Sequence, residues 1–93
     1  VFPNLRPIAP LILLAEDNEI NQYLARTLLE KYGMLVDAVD TGAEALEQAT
    51  HFQYDLILMD VQMPEMDGME ATRKIRLLPD LAKASIPIVA MTA

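Results

Sequence analysis

The 93-residue chain contains no cysteine. That excludes a disulfide framework and a thiolate metal site, and it fits a reducing compartment. No apolar run approaches the roughly 20 residues needed to span a bilayer, and the chain does not open on a signal-peptide pattern. Any membrane link would have to come from another part of a longer protein. Basic residues are scarce: 7 Lys and Arg stand against 14 Asp and Glu, for a net charge of −7. Apart from Arg73, Lys74 and Arg76 they are scattered, whereas binding a phosphate backbone needs a coherent basic face. The balance argues against direct nucleic-acid binding, and the basic trio reads as a solvated helix face or one that meets an acidic partner. Glycine is rare too, at 3 residues, while 53% of the chain is hydrophobic. Such a chain is one folded domain or part of one.

What is present alternates in type along the chain. Residues 1–10 hold three of the 6 prolines and read as an extended linker. An apolar strand follows, Leu11 to Ala15, then a polar turn, Glu16-Asp17-Asn18-Glu19. A helix is expected from Ile20 to Tyr32, with Ile20, Leu24 and Leu28 as its apolar stripe, flanked by Tyr23 and Thr27. Asn18 or Glu19 suits its start and Gly33 its end. A second strand spans Leu35 to Val39, and Thr41-Gly42-Ala43-Glu44 matches a capping box opening a helix that runs to about Thr50. The third strand is Asp55 to Met59, and a third helix runs from Gly68 to Leu77 with Ala71, Thr72 and Ile75 on one side. Asp80 to Ser85 is a helical turn or a loop, and Ile86 to Met91 a fourth strand.

Apolar strands alternating with amphipathic helices imply an α/β fold, a parallel sheet covered on both faces. Right-handed crossovers put every strand's C-terminus on one rim, the rim at which open sheets of this class bind ligands. Glu16, Asp17, Asp60 and Thr92 would therefore share a site. Clustered carboxylates repel by roughly 4 kcal/mol per pair at close approach and intermediate dielectric, so such a cluster calls for a cation, bound protons or chemistry. Magnesium, which takes oxygen ligands and needs only one or two carboxylates beside a phosphoryl group, fits. A carboxylate is also a competent nucleophile towards phosphorus.

Three segments, Ala15-Glu16-Asp17-Asn18, Met59-Asp60-Val61-Gln62-Met63-Pro64-Glu65-Met66-Asp67-Gly68 and Met91-Thr92-Ala93, resemble the receiver domains of two-component response regulators in identity and order. The likeness covers residues 11–93, and Glu-Asp-Asn-Glu-Ile-Asn-Gln at 16–22 most resembles receivers of hybrid sensor histidine kinases. The resemblance implies a flavodoxin-like, doubly wound sheet of strand order 2-1-3-4. It implies a phosphoryl group taken onto Asp60 from a phosphohistidine on a histidine kinase or histidine phosphotransfer domain. It implies Mg2+ held by Asp17, Asp60, the backbone carbonyl of Gln62 and, through water, Glu16. Thr92 would hydrogen-bond the phosphoryl group and couple it to shape, while Pro64 and Gly68 would shape the loop. It also implies a cytoplasmic setting, including the cytoplasmic part of a membrane-bound sensor kinase, with no direct membrane contact.

The match has a gap. Receivers have five strands, and the family's lysine after the fifth, its switch aromatic and its last two helices have no counterpart before Ala93; Lys83, ahead of the fourth strand, does not match that motif. The expectation is a C-terminally truncated receiver whose fourth strand is an exposed apolar edge, open to a dimer or a swapped assembly.

Plainer readings stand beside these. Asp60 could be a turn residue after a strand, and Glu16 and Asp17 could merely favour the positive end of the first helix. Asp67 reads as a turn or cap residue rather than a ligand. His51, the single histidine, has no catalytic setting, and the 6 methionines read as packing. Two rival functions remain: a docking module that has lost phosphotransfer, and a phosphatase of the haloacid dehalogenase type. The second wants an acid two residues after the nucleophile, where this chain has Gln62. The leading reading is a self-phosphorylating signalling module, not a stand-alone enzyme.

Overall fold

The computed structural model describes residues 9–91, so most of the Pro-rich segment lies outside the described residues, as do Thr92 and Ala93. Four strands, β1 (Leu11–Ala15), β2 (Leu35–Val39), β3 (Leu56–Asp60) and β4 (Ile88–Met91), alternate with helices α1 (Glu19–Lys31), α2 (Gly42–His51), α3 (Gly68–Arg76) and a single turn, α4 (Leu81–Ala84). All strand pairs are parallel and the order is β2-β1-β3-β4, as expected.

Alternation along each strand sorts the side chains between two faces. Leu13, Ala15, Val39, Ile57 and Met59 point to one of them, where they pack with Ala45 and Ala49 of α2, Ala71 and Ile75 of α3, and Tyr54, Met63 and Ile86. The alanines let α2 and α3 lie close to the sheet, and each large side chain fully buried there stabilises the fold by roughly 1.5–3 kcal/mol. Tyr54, 2% exposed, donates its hydroxyl to Asp37 Oδ2 at 2.7 Å. Burial and that acceptor raise the phenol's pKa well above its ordinary value. Ile12 and Leu14 face the other way and are equally buried.

Local sequence sets the helix ends. Asn18 Oδ1 accepts from the Asn21 N–H at 2.9 Å, Thr41 Oγ1 from Glu44 at 3.1 Å and Asp67 Oδ1 from Glu70 at 2.9 Å. Asp67 is thus a cap, as expected. Glu44 answers on the Asp40 N–H at 3.0 Å, one residue earlier than a standard capping box. At the end of α1, Gly33 takes φ +86°, with bonds from Gly33 N–H to the Glu30 carbonyl and from Met34 N–H to the Leu29 carbonyl. Those are the paired bonds of a Schellman cap.

Two expectations need correction. The stripe Ile20, Leu24 and Leu28 does not pack on the sheet: these residues are 70%, 59% and 56% exposed. The half-buried side of α1 is Gln22, Ala25, Arg26 and Leu29. Gln22 and Arg26 reach main-chain carbonyls of β2, at Val39 (3.2 Å) and Val36 (3.1 Å). The helical period is right, and polar anchoring rotates its phase. The fourth strand also begins two residues late. Pro87 has no N–H to give a ladder, and the Ile86 carbonyl accepts instead from Arg76 Nη1 at 2.7 Å. β4 pairs only with β3 among the described residues, and Val89 and Ala90 are exposed.

Candidate phosphoacceptor site

At the C-terminal rim, β1 and β3 are adjacent, with Ala15 opposite Met59, so the residues that follow each of these two come together. Glu16, Asp17 and Asp60 each offer a carboxylate oxygen within 4.8 Å of the others. Asp60 is the last residue of β3 and pairs with Met91, the last of β4. Thr92 follows Met91 and lies outside the described residues. The acids line an open cleft of about 1000 Å³ with Asn18, Asn21, Val61, Gln62, Met63, Pro64 and Asp67.

The three carboxyls are unlike. Glu16 is buried, Asp60 half-buried and Asp17 exposed. Burial pushes the Glu16 carboxyl above its ordinary value, and the neighbouring Asp60 and Asp17 push the same way. The Asn18 N–H on Glu16 Oε2, at 3.1 Å, partly offsets this. Asp60 Oδ1 accepts from the Gln62 N–H at 3.1 Å.

The loop from β3 to α3 is held to the rim by backbone bonds. Val61 N–H donates to the Met91 carbonyl at 3.2 Å and Gly68 N–H to the Val61 carbonyl at 2.9 Å. A Cβ on Gly68 would collide with the Asp60 carbonyl and stand 2.9 Å from Met59 Cγ, so only glycine lets α3 start this close to Asp60. Glu65 takes φ +69°, with Met66 N–H bonded to the Pro64 carbonyl at 2.8 Å. This is a γ-turn of the strained hand, a conformation that costs of order 1–3 kcal/mol outside glycine.

Glu16, Asp17 and Asp60 come together, and Gln62 lines the same cleft. Lys83 pairs with Asp80 at 3.9 Å, and His51 is the exposed last residue of α2, facing a separate groove with Glu47 and Phe52. Asn21 was not singled out as a cleft residue. Its place one helical turn past the N-cap, on the side of Asp17, is the signal that points to it.

A family model, the response regulator receiver domain, matches residues 12–93. The sensor protein GacS of Pseudomonas syringae pv. syringae is 46% identical over 94 residues, covering 100% of this chain and 10% of GacS. The autoinducer 2 sensor kinase/phosphatase LuxQ of Vibrio vulnificus is 45% identical over 82 residues, covering 88% of this chain and 9% of LuxQ. The chain therefore spans a tenth or less of these relatives' length. Among solved structures, the receiver domain of sensor histidine kinase PA1611 of Pseudomonas aeruginosa PAO1, with magnesium coordinated in its active-site cleft, superposes with TM-score 0.87 at 40% identity, covering 92% of this chain and 69% of that one. The receiver domain of the histidine kinase CKI1 of Arabidopsis thaliana, complexed with Mg2+ and BeF3−, gives TM-score 0.82 at 36% identity, covering 89% and 65%. In sequence, fold and strand order the chain belongs to the response regulator receiver family, and its relatives include sensor histidine kinases and their receiver domains, among them the hybrid signal transduction histidine kinase B of Dictyostelium discoideum.

Proposed function

We propose that this receiver takes a phosphoryl group onto Asp60 from a phosphohistidine of a histidine kinase or histidine phosphotransfer domain, in a cytoplasmic phosphorelay. The observation that carries the reading is the convergence of Glu16, Asp17 and Asp60 within 4.8 Å in a solvent-open cleft. Every donor there is a hard oxygen, the kind magnesium selects. Burial first, and then Asp60 and Asp17, push the Glu16 carboxyl up, and a cation would relieve the share that the neighbouring charges contribute. Asp17, Asp60 and the Gln62 carbonyl would hold Mg2+ directly and Glu16 through water. When bound, the ion supplies charge neutralisation for the incoming phosphoryl oxygens.

The residues of the chain do the rest. The Gln62 N–H on Oδ1 orients the Asp60 carboxylate and leaves the other oxygen as nucleophile. That oxygen forms the new P–O bond as the P–N bond to the donor imidazole breaks, its electron pair returning to the ring nitrogen. The product is an acyl phosphate. Thr92, directly after Met91, would hydrogen-bond the group. The domain works as acceptor and relay rather than as an enzyme turning over a free metabolite. Gln62 stands where a dehalogenase-type phosphatase needs an acid, and a carboxamide cannot shuttle a proton there.

The test is phosphorylation of the chain by acetyl phosphate, read by intact mass. A single adduct of one phosphoryl group is expected with Mg2+, lost with EDTA and absent in Asp60→Asn. No phosphoryl adduct on the folded chain, nor on one extended through a fifth strand, would leave the docking-module reading in its place. Sustained hydrolysis of a simple phosphomonoester would favour the phosphatase.

A further inference from the structure

We infer that Gln22 is a positioning residue for the acid cleft: its carboxamide fixes the Glu16–Asp17 peptide against the end of β2. The inference rests on the proposed reading of the cleft and concerns a residue outside it, since Gln22 does not line the cleft. The sheet ladder reaches Glu16 from one side only, through its N–H to the Val39 carbonyl at 3.1 Å. The Glu16 carbonyl, the first group of the peptide that carries Asp17, lies past the ladder and needs another partner. Gln22, in the first turn of α1, provides it. Its Nε2 donates to the Glu16 carbonyl at 2.8 Å, the Val39 carbonyl at 3.2 Å and the Asp40 carboxylate at 3.0 Å.

All three partners are acceptors, and their negative ends converge on one point. A two-hydrogen donor without net charge serves all three, one of its hydrogens shared between two acceptors. A Glu there would add a fourth acceptor, and a Met would leave the carbonyls facing each other with nothing between them. The same surroundings fix which way the amide is turned. Asp40 is held in turn, its N–H bonded to Glu44 Oε1 at 3.0 Å. Two residues on, the buried Gly42 lies so close to the Met66 carbonyl that a Cβ would collide with it. Met66 belongs to the loop that carries Gln62. The corner between β2 and α2 therefore braces both halves of the cleft, Glu16–Asp17 through Gln22 and the loop after Asp60 through Gly42.

The test is Mg2+ titration followed by NMR and calorimetry on the chain and on Gln22→Met, with Leu29→Ala as control. Leu29 lies on the same half-buried side of α1 near its far end, so its loss loosens the helix without touching the brace. Expected for Gln22→Met is Mg2+ affinity weaker by about tenfold, the low end for outer-shell partners of metal ligands. Faster hydrogen exchange at the Glu16 N–H, with or without Mg2+, should accompany it. Leu29→Ala should lower the melting temperature and leave Mg2+ affinity unchanged. Equal Mg2+ affinity in wild type and Gln22→Met overturns the inference. So does a loss of affinity in both variants that merely tracks their loss of stability. A wild-type chain that is folded and binds no Mg2+ is a different result: it overturns the reading of the cleft, and the positioning role with it.

Discussion

A carboxyl group as buried as that of Glu16 is costly to ionise, and its neighbours make it costlier. Its pKa in the folded chain lies above the ordinary 4.5, first through burial and then through Asp60 and Asp17. The linkage has one sign. A carboxyl whose pKa is raised by folding binds its proton more tightly in the native state. Its contribution to stability is fully present below 4.5 and is lost as pH rises through the folded value. Glu16→Gln removes the charge and keeps the shape. Without metal at pH 7 the variant should melt higher than wild type, and the gap should close as pH falls below 4.5. Mg2+ should reverse the order, raising the melting temperature of wild type more than that of the variant, because the charge that strains the empty cleft is the charge that favours a cation. Calorimetric melting with and without Mg2+ measures both; a variant less stable than wild type in EDTA at pH 7 would contradict the electrostatic account.

At the scale of elements, each helix start is written in a residue or two. Thr41→Ala removes the acceptor for the Glu44 N–H. The cap's loss should cost about 1 kcal/mol and lower the melting temperature by roughly 4–8 °C for a domain of this size. Thr41→Ser should restore most of it. Such caps were legible in the sequence because donor and acceptor sit three residues apart and depend on nothing distant. The strand ends were legible for a related reason. Apolar runs that stop at Glu16 and at Asp60 can only become neighbours in a parallel sheet, so the acid cluster followed from topology. The rotation of α1 was not legible. Hydropathy ranks Ile20, Leu24 and Leu28 above Gln22 and Arg26, yet the polar pair meets β2 carbonyls that are distant in the chain. The late start of β4 was half legible: Pro87, with no N–H for a ladder, stands in the sequence, while the Ile86 carbonyl is claimed by Arg76, ten residues earlier. The brace at Gln22 belongs with these, because three acceptors at the ends of two strands, β1 and β2, surround one amide only after the chain has folded.

Across the whole molecule the two faces of the sheet differ. The face under α2 and α3 is closed, with Leu13, Ile57, Met59 and Ile75 within 2% of full burial. On the other, Ile12 and Leu14 are buried, while Val89 is 50% exposed and α1 turns Ile20, Leu24 and Leu28 to solvent. If stability resides in the closed face, substitutions should separate cleanly. Ile75→Ala should cost about 2–5 kcal/mol, the range for emptying a packed site. Leu24→Gln and Leu28→Gln should each stay within about 0.5 kcal/mol of wild type, as surface changes do. Urea unfolding reads these as shifts in midpoint at constant slope. A loss near 2 kcal/mol at Leu24 or Leu28 would mean that the stripe is covered in solution. Dependence of the midpoint on protein concentration would then identify a second copy as the cover, since association stabilises by mass action and a contact within one chain does not.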